Sequence, residues 1–230
     1  MNITTAAQLA KTIDYTLLSA TAVKDDISRL CAEARQYCFF AVCVHPRWVS
    51  LCVDILDGSD VKVVSVAGFP FGTNVPRIIA AEAKDVIFAG ADEVDIVADL
   101  ASVIAGDEKY LRNELVDVLK VCKSMKPAVT LKLIIEAAAL TVEQKRFVCG
   151  IASDLGVDFV KTSTGFNPAG GANAEDVKLM KQFAPRCKVK AAGGIKTAKT
   201  ALEMIEAGAE RLGCSAGIRI LEEFNSLKQS

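Results

Sequence analysis

Two lysines stand where a folded chain is driest. Lys161 closes the run VDFV at 157–160, and Lys190 sits between Val189 and two alanines in KVKAAGG. Lysine is rarely buried unless it is paired or at work. Burial disfavours the ammonium form, and a second cation nearby lowers the pKa further. An amine that is neutral near pH 7 is a nucleophile toward carbonyl carbon. Two more charges interrupt apolar runs: Asp95 in EVDIVA and Lys132 in TLKLIIE. Taken singly, each such lysine reads as a solvated strand end, and the aspartate as a carboxylate held by backbone amides. Four of them on neighbouring strands favour a site, because perturbed ionisable groups cluster where chemistry is done.

The elements that must hold these residues are short apolar runs alternating with longer helical patterns. Strands are expected near 13–15, 39–44, 61–67, 93–97, 130–135, 158–161, 189–191 and 211–213. Helices are expected over 22–37, 46–56, 76–89, 107–123, 142–155, 174–183, 197–207 and 215–227. Eight strand-then-helix units imply an α/β fold, a single (β/α)8 TIM barrel with a short N-terminal helix, spanning residues 1–230 as one domain. The strands carry few polar residues, as strands covered on both faces should. An open doubly wound sheet is the competing architecture. It needs a glycine-rich phosphate loop after the first strand, and TLLSATAV, which follows Tyr15, has no glycine.

In such a barrel the active site lies at the C-terminal ends of the strands. Asp95, Lys132, Lys161 and Lys190 fall on the fourth to seventh strands, and side-chain alternation turns them toward the interior or toward the helix layer. The helix layer offers them few partners, which favours the interior. Gly193-Gly194 and the segment GCSAG at 213–217, which contains Ser215, follow strands seven and eight. Glycine lets backbone approach a ligand, and a helix N-terminus offers free N–H donors, so a phosphate is expected there. Thr164-Gly165 adds donors on the same side. The bland alternative is that these glycines only turn the chain. His45 reads as a polar loop residue more readily than as a general base, Cys43 as packing at a strand end, and Trp48 as helix–barrel packing. The loop GFPFGTNVP at 68–76 has turn chemistry and is expected on the pocket rim.

Composition narrows the class of function. Of 230 residues, 51% are hydrophobic, enough for one large core, and the net charge of −1 supplies no broad surface for nucleic acid or anionic membrane. No apolar stretch reaches 18 residues without a charge, so no membrane span is expected. The eight cysteines form no C-x-x-C pair and His45 is the lone histidine, so no metal site is expected. The first residues lack the pattern of a secretory signal, and a reduced, cytoplasmic protein is expected. A homodimer is the expected assembly, since two-fold dimers are common among soluble oligomers.

The segments VDFVKTSTGF and KVKAAGGIKTA, with GADEVDIV, LKLIIE, RLGCSAG, IDYTLL and AVCVHPRWV, resemble the deoxyribose-phosphate aldolase family in order along nearly the whole chain. That resemblance implies a class I, Schiff-base aldolase on an eight-stranded α/β barrel, with no metal and no organic cofactor. It implies reversible cleavage of 2-deoxy-D-ribose 5-phosphate to acetaldehyde and D-glyceraldehyde 3-phosphate, so the partners are small phosphosugars and aldehydes. By the same resemblance Lys161 is the Schiff-base lysine, Lys190 the lysine that depresses its pKa, and Asp95 the proton-relay partner. Lys132 lies near the sugar, Gly165, Gly193, Gly194 and Ser215 hold the phosphate, and Asp14 and Thr16 match the pocket floor. The chain departs from the family at Tyr15, often histidine there, at His45, often asparagine, and at Ala137, commonly threonine. From the residues alone, two other readings stand. One is a phosphosugar barrel lyase or isomerase that uses lysine and Asp95 as acid and base with no covalent step. The other is a barrel that only binds a phosphorylated metabolite or a protein partner.

Overall fold

The computed structural model describes residues 3–229, and among them the chain forms eight strands and ten α-helices. The strands are β1 (Ile13–Leu17), β2 (Ala41–Val44), β3 (Lys62–Ala67), β4 (Glu93–Val97), β5 (Thr130–Ile134), β6 (Phe159–Lys161), β7 (Lys188–Ala192) and β8 (Arg211–Cys214). They pair in parallel and in chain order, and β8 returns to β1, so the sheet closes. This is the expected (β/α)8 barrel, with α1 (Ala6–Ala10) as its short N-terminal helix.

The helices cover the outside of the barrel: α2 (Lys24–Gln36), α3 (Val49–Leu56), α4 (Pro76–Phe88), α5 (Leu100–Ala105), α6 (Glu108–Ser124), α7 (Val142–Leu155), α8 (Ala174–Phe183), α9 (Ala198–Glu206) and α10 (Gly217–Gln229). In α2 the buried residues Ile27, Leu30, Cys31 and Ala34 recur at helical spacing, so one stripe faces the strands. Start and stop signals are local. Thr141 and Gln144 cap α7 reciprocally, and Gly156 at φ +75° ends it. The helix expected over 46–56 begins instead as a 3-10 turn, Pro46–Trp48, before α3. Helix α5 was not expected at all. Its six residues are too few to show a period, although Asp99 caps its start and Gly106 its end. No helix among the described residues is long and apolar enough to cross a membrane.

Alternation along the strands sorts the residues into two layers. Val94, Ile96, Leu131, Leu133, Val189 and Leu212 join the large apolar layer between barrel and helices. Inside the barrel, Ala41, Cys43, Val64 and Val66 of β2 and β3 pack with Leu18 as a small apolar cluster. The other strands turn charged residues inward. Asp14, Glu93, Asp95, Lys132, Lys161, Lys190 and Arg211 are all buried. Each comes from a strand, and register sets Asp95 beside Lys132, Lys161 beside Lys190, and Lys190 beside Arg211.

Candidate active site

Asp95 is the hub of this interior. Its Oδ2 accepts from Lys161 Nζ and from Lys190 Nζ, both at 2.8 Å, and its Oδ1 accepts from Lys132 Nζ at 2.7 Å. Burial alone would push this carboxyl up, but the three ammonium groups outweigh it and hold it well below the usual range. Asp95 is therefore a fixed anion. Lys190 also pairs with Asp14. Burial alone would strip its proton, yet Asp14 and Asp95 hold it firmly protonated. Asp14 in turn is drawn down to about 2, against burial, by Lys190 and Arg211.

Lys161 differs from its neighbours. Burial is the largest influence on it and lowers its pKa, Asp95 opposes that, and the Lys190 ammonium lowers it again. It is shifted toward losing its proton, whereas Lys190 is held protonated. Lys161 is also the one that opens upward. A cavity of about 510 Å³ at the C-terminal end of the strands has Lys161 in its wall. Thr16, Thr164, Gly165, Gly193, Gly194 and Ser215 line it too, so these sequence-predicted residues do converge on one space. Asp95, Lys132, Lys190 and Asp14 lie beneath that wall, fully buried.

Backbone geometry shapes the far side of the cavity. Gly193 and Gly194 adopt φ of +91° and +78°, a region other residues enter at a cost. The N–H of Ala172 donates to the Gly193 carbonyl at 3.0 Å, so the loop after β6 is laid across the loop after β7. Glu136, in the left-handed region at φ +51°, accepts from the Thr164 N–H and ties the end of β5 to the β6 loop. Ser215 comes just before α10, and Gly193-Gly194 stand shortly before Thr197, the cap of α9. Gly193, Gly194 and Ser215 thus share one end of the cavity, just ahead of α9 and α10, where backbone can come close to an anion.

Other sequence-predicted residues fall into place around this. His45 bonds the Leu18 carbonyl through Nε2 at 3.0 Å and lies against Phe69, tying two loops together. Cys43 is buried beside the lysines and its thiol is pushed up by that burial. Trp48 packs on the outer layer under the Arg47 guanidinium. The 68–76 loop reaches the rim through Phe69, whose ring meets Phe166 of the cavity wall edge-on. Tyr15 turns outward and donates to Glu33 at 2.8 Å. Four residues were not expected here: Glu93, Glu136, Arg211 and Lys196. Lys196 is an exposed cation lining the cavity beside Gly194. Its signal was the segment GGIKTA, in which a lysine follows the glycine pair.

A closed barrel with a buried amine at its mouth, a fixed carboxylate beneath and an anion cradle opposite is an enzyme's arrangement. The model of the DeoC/LacD family aldolases matches residues 9–223 of the chain. A deoxyribose-phosphate aldolase from Thermoanaerobacter sp. strain X514 is 47% identical over 223 residues, 96% of this chain and 99% of that protein. One from Thermococcus kodakarensis is 47% identical over 94% of this chain and 96% of its own. A solved structure described as the tetrameric deoxyribose phosphate aldolase of Aeropyrum pernix matches with a TM-score of 0.90 at 31% identity, over 97% of this chain and 93% of that one. The chain belongs to the DeoC/LacD aldolase family, and its chemistry is that of a carbon–carbon lyase.

Proposed function

We infer that the protein cleaves 2-deoxy-D-ribose 5-phosphate reversibly to acetaldehyde and D-glyceraldehyde 3-phosphate through an imine on Lys161. The observation that carries this reading is the single carboxylate oxygen of Asp95 shared at 2.8 Å by the Lys161 and Lys190 amines. Two amines so close do not both hold a proton at low cost, and Lys161 is the one with the weaker claim. Its neutral form attacks the open-chain aldehyde carbon, and loss of water leaves an iminium. That cation takes up the electron pair of the bond between carbons two and three as the 3-hydroxyl gives up its proton. The enamine is then protonated at carbon two, and water releases acetaldehyde and restores the amine. Asp95, held ionised, orders a water that accepts and passes the protons, with the Lys190 ammonium beside it. Such placed proton transfer is worth ~10²–10⁴-fold.

The phosphate rests on Gly165, Gly193, Gly194 and Ser215, with Thr164 and Lys196 adding donors. Binding energy from this remote group holds the carbonyl against Lys161. Thr16 supports the sugar from the wall, and Lys132 and Asp14 act from below through Asp95 and Lys190. The protein acts as a single domain, in the cytoplasm, as a homodimer, without metal or organic cofactor. The relatives' names support the substrate, and the cradle opposite the amine supports a phosphorylated one. The test is aldehyde release from 2-deoxyribose 5-phosphate. Lys161→Met must lower kcat at least ~10³-fold, and full activity in that variant would refute the assignment.

A further inference from the structure

The seven charged side chains inside the barrel are ordered. Six of them close a circuit in which every neighbour has the opposite sign. Arg211 donates from Nη2 to Glu93 Oε2 at 2.8 Å. Glu93 pairs with Lys132 at 2.6 Å, and Lys132 donates to Asp95 at 2.7 Å. Lys190 donates to Asp95 at 2.8 Å and pairs with Asp14, and Asp14 Oδ1 accepts from Arg211 Nε at 2.8 Å. Arg211, Lys132 and Lys190 thus balance Glu93, Asp95 and Asp14. Lys161 is the seventh group and joins the circuit at Asp95.

Among the described residues, the remaining surroundings add no compensating charge. Strands β2 and β3 face the interior with Ala41, Cys43, Val64 and Val66. The Cys43 thiol is kept protonated by burial. The Phe40 ring lies 3.3 Å from the Arg211 guanidinium carbon, with Phe159 at 6.0 Å, and together they screen it from solvent. At the mouth, Glu136 is engaged with the Thr164 N–H, and Lys196 is exposed to water. A protonated Lys161 therefore leaves a buried cluster with one surplus positive charge, and a neutral one leaves it balanced. Surplus charge is what a water-poor interior tolerates least.

We propose that Glu93 and Arg211 are positioning residues for the reaction: by fixing the charge of the closed circuit they set the protonation state of Lys161, although neither lines the cavity. The proposal rests on the reading of Lys161 as the reacting amine. It also assigns a purpose to the floor of the barrel, where an apolar plug would fill the same space. With the circuit balanced, the surplus charge falls on Lys161, the one group that faces the substrate.

The test compares Glu93→Gln, Arg211→Met and the double variant with the unaltered protein. Two profiles against pH are read. One is kcat/KM, and the other is the rate of reductive methylation of Lys161 followed by peptide mass spectrometry, which needs no aldolase activity. Glu93→Gln adds a surplus positive charge, so the acid limb of both profiles should move to lower pH by about one unit, a tenfold change in rate on that limb. Arg211→Met does the reverse and moves it up by about one unit. The double variant breaks the circuit yet restores its balance, so its limb should return close to the original. Single variants that leave the limb in place would overturn the proposal. So would a folded double variant, shown by an intact thermal transition, whose limb stays shifted. If Arg211→Met does not fold, Glu93→Gln and the double variant decide the matter by the same criteria. Absence of any acetaldehyde adduct on Lys161 in the unaltered protein would refute the reading of that lysine, while the methylation profile would still judge the circuit.

Discussion

At the scale of the residue, two neighbours of Lys161 are expected to act on it in opposite directions. Lys190→Met removes a cation that helps to discharge Lys161. The Lys161 pKa should rise, moving the acid limb of kcat/KM to higher pH and cutting the rate near neutrality. Asp95→Asn removes the anion that favours the charged amine. Its acid limb should move to lower pH while the plateau falls ~10²–10⁴-fold, because the amine is then free but the proton carrier is gone. Limbs that move together in the two variants would contradict these roles. The four residues that interrupt apolar strands were legible in the sequence for this physical reason: a charge in the middle or at the mouth end of a dry strand demands an explanation. Glu93 and Arg211 were not, because each is the first residue of its strand. There a charge reads as the solvated bottom rim. That they meet inside the barrel depends on strand register and twist, which no single segment encodes.

At the scale of the element, two segments carry separate liabilities. Helix α6 buries Glu114 against α5, where it accepts from the Asp99 N–H at 3.4 Å and its Oε1 has no partner among the described residues. Burial pushes this carboxyl up to about 8. In the unfolded chain it titrates as an ordinary carboxylate, so the folded state holds the proton more tightly. The stability this lends is full at acid pH and is lost as pH rises to about 8. Glu114→Gln should therefore stabilise the protein at pH 8 by roughly 1–3 kcal/mol and do little at pH 4.5, as measured by thermal unfolding at both values. Equal effects at the two pH values would contradict the titration. On the other side, a Cβ added at Gly171 would stand 2.2 Å from the Gly193 carbonyl oxygen. Gly171→Ala should displace the glycine turn by about 1 Å and raise KM for the phosphorylated substrate ~10- to 100-fold, with a smaller change in kcat. An unchanged KM would remove Gly193 from the phosphate cradle. Helices were legible where they are long enough to repeat an apolar stripe. The six residues of α5 are not, so only its caps could have marked it.

At the scale of the whole molecule, the barrel divides its labour between two layers. The outer layer is continuous and apolar, and truncating a buried leucine or isoleucine there costs ~2–5 kcal/mol wherever it falls. The inner layer is where stability is exchanged for chemistry, since buried ion pairs add little net stability over apolar packing. The closed barrel was legible from eight alternating apolar runs, and the anion cradle from the glycines that follow two of them. The charge circuit was not, for it exists only once the sheet closes and brings β8 back to β1 and Arg211 within reach of Glu93 on β4. Light scattering should give twice the chain mass of 24.5 kDa, whereas four times that mass would align this protein with its tetrameric Aeropyrum relative. The central claim is that a discharged amine at residue 161 becomes bonded to substrate carbon. Borohydride added in the presence of acetaldehyde should fix a two-carbon adduct irreversibly on the peptide containing Lys161, with matching loss of activity. No adduct there, or one only on surface lysines, would contradict the account.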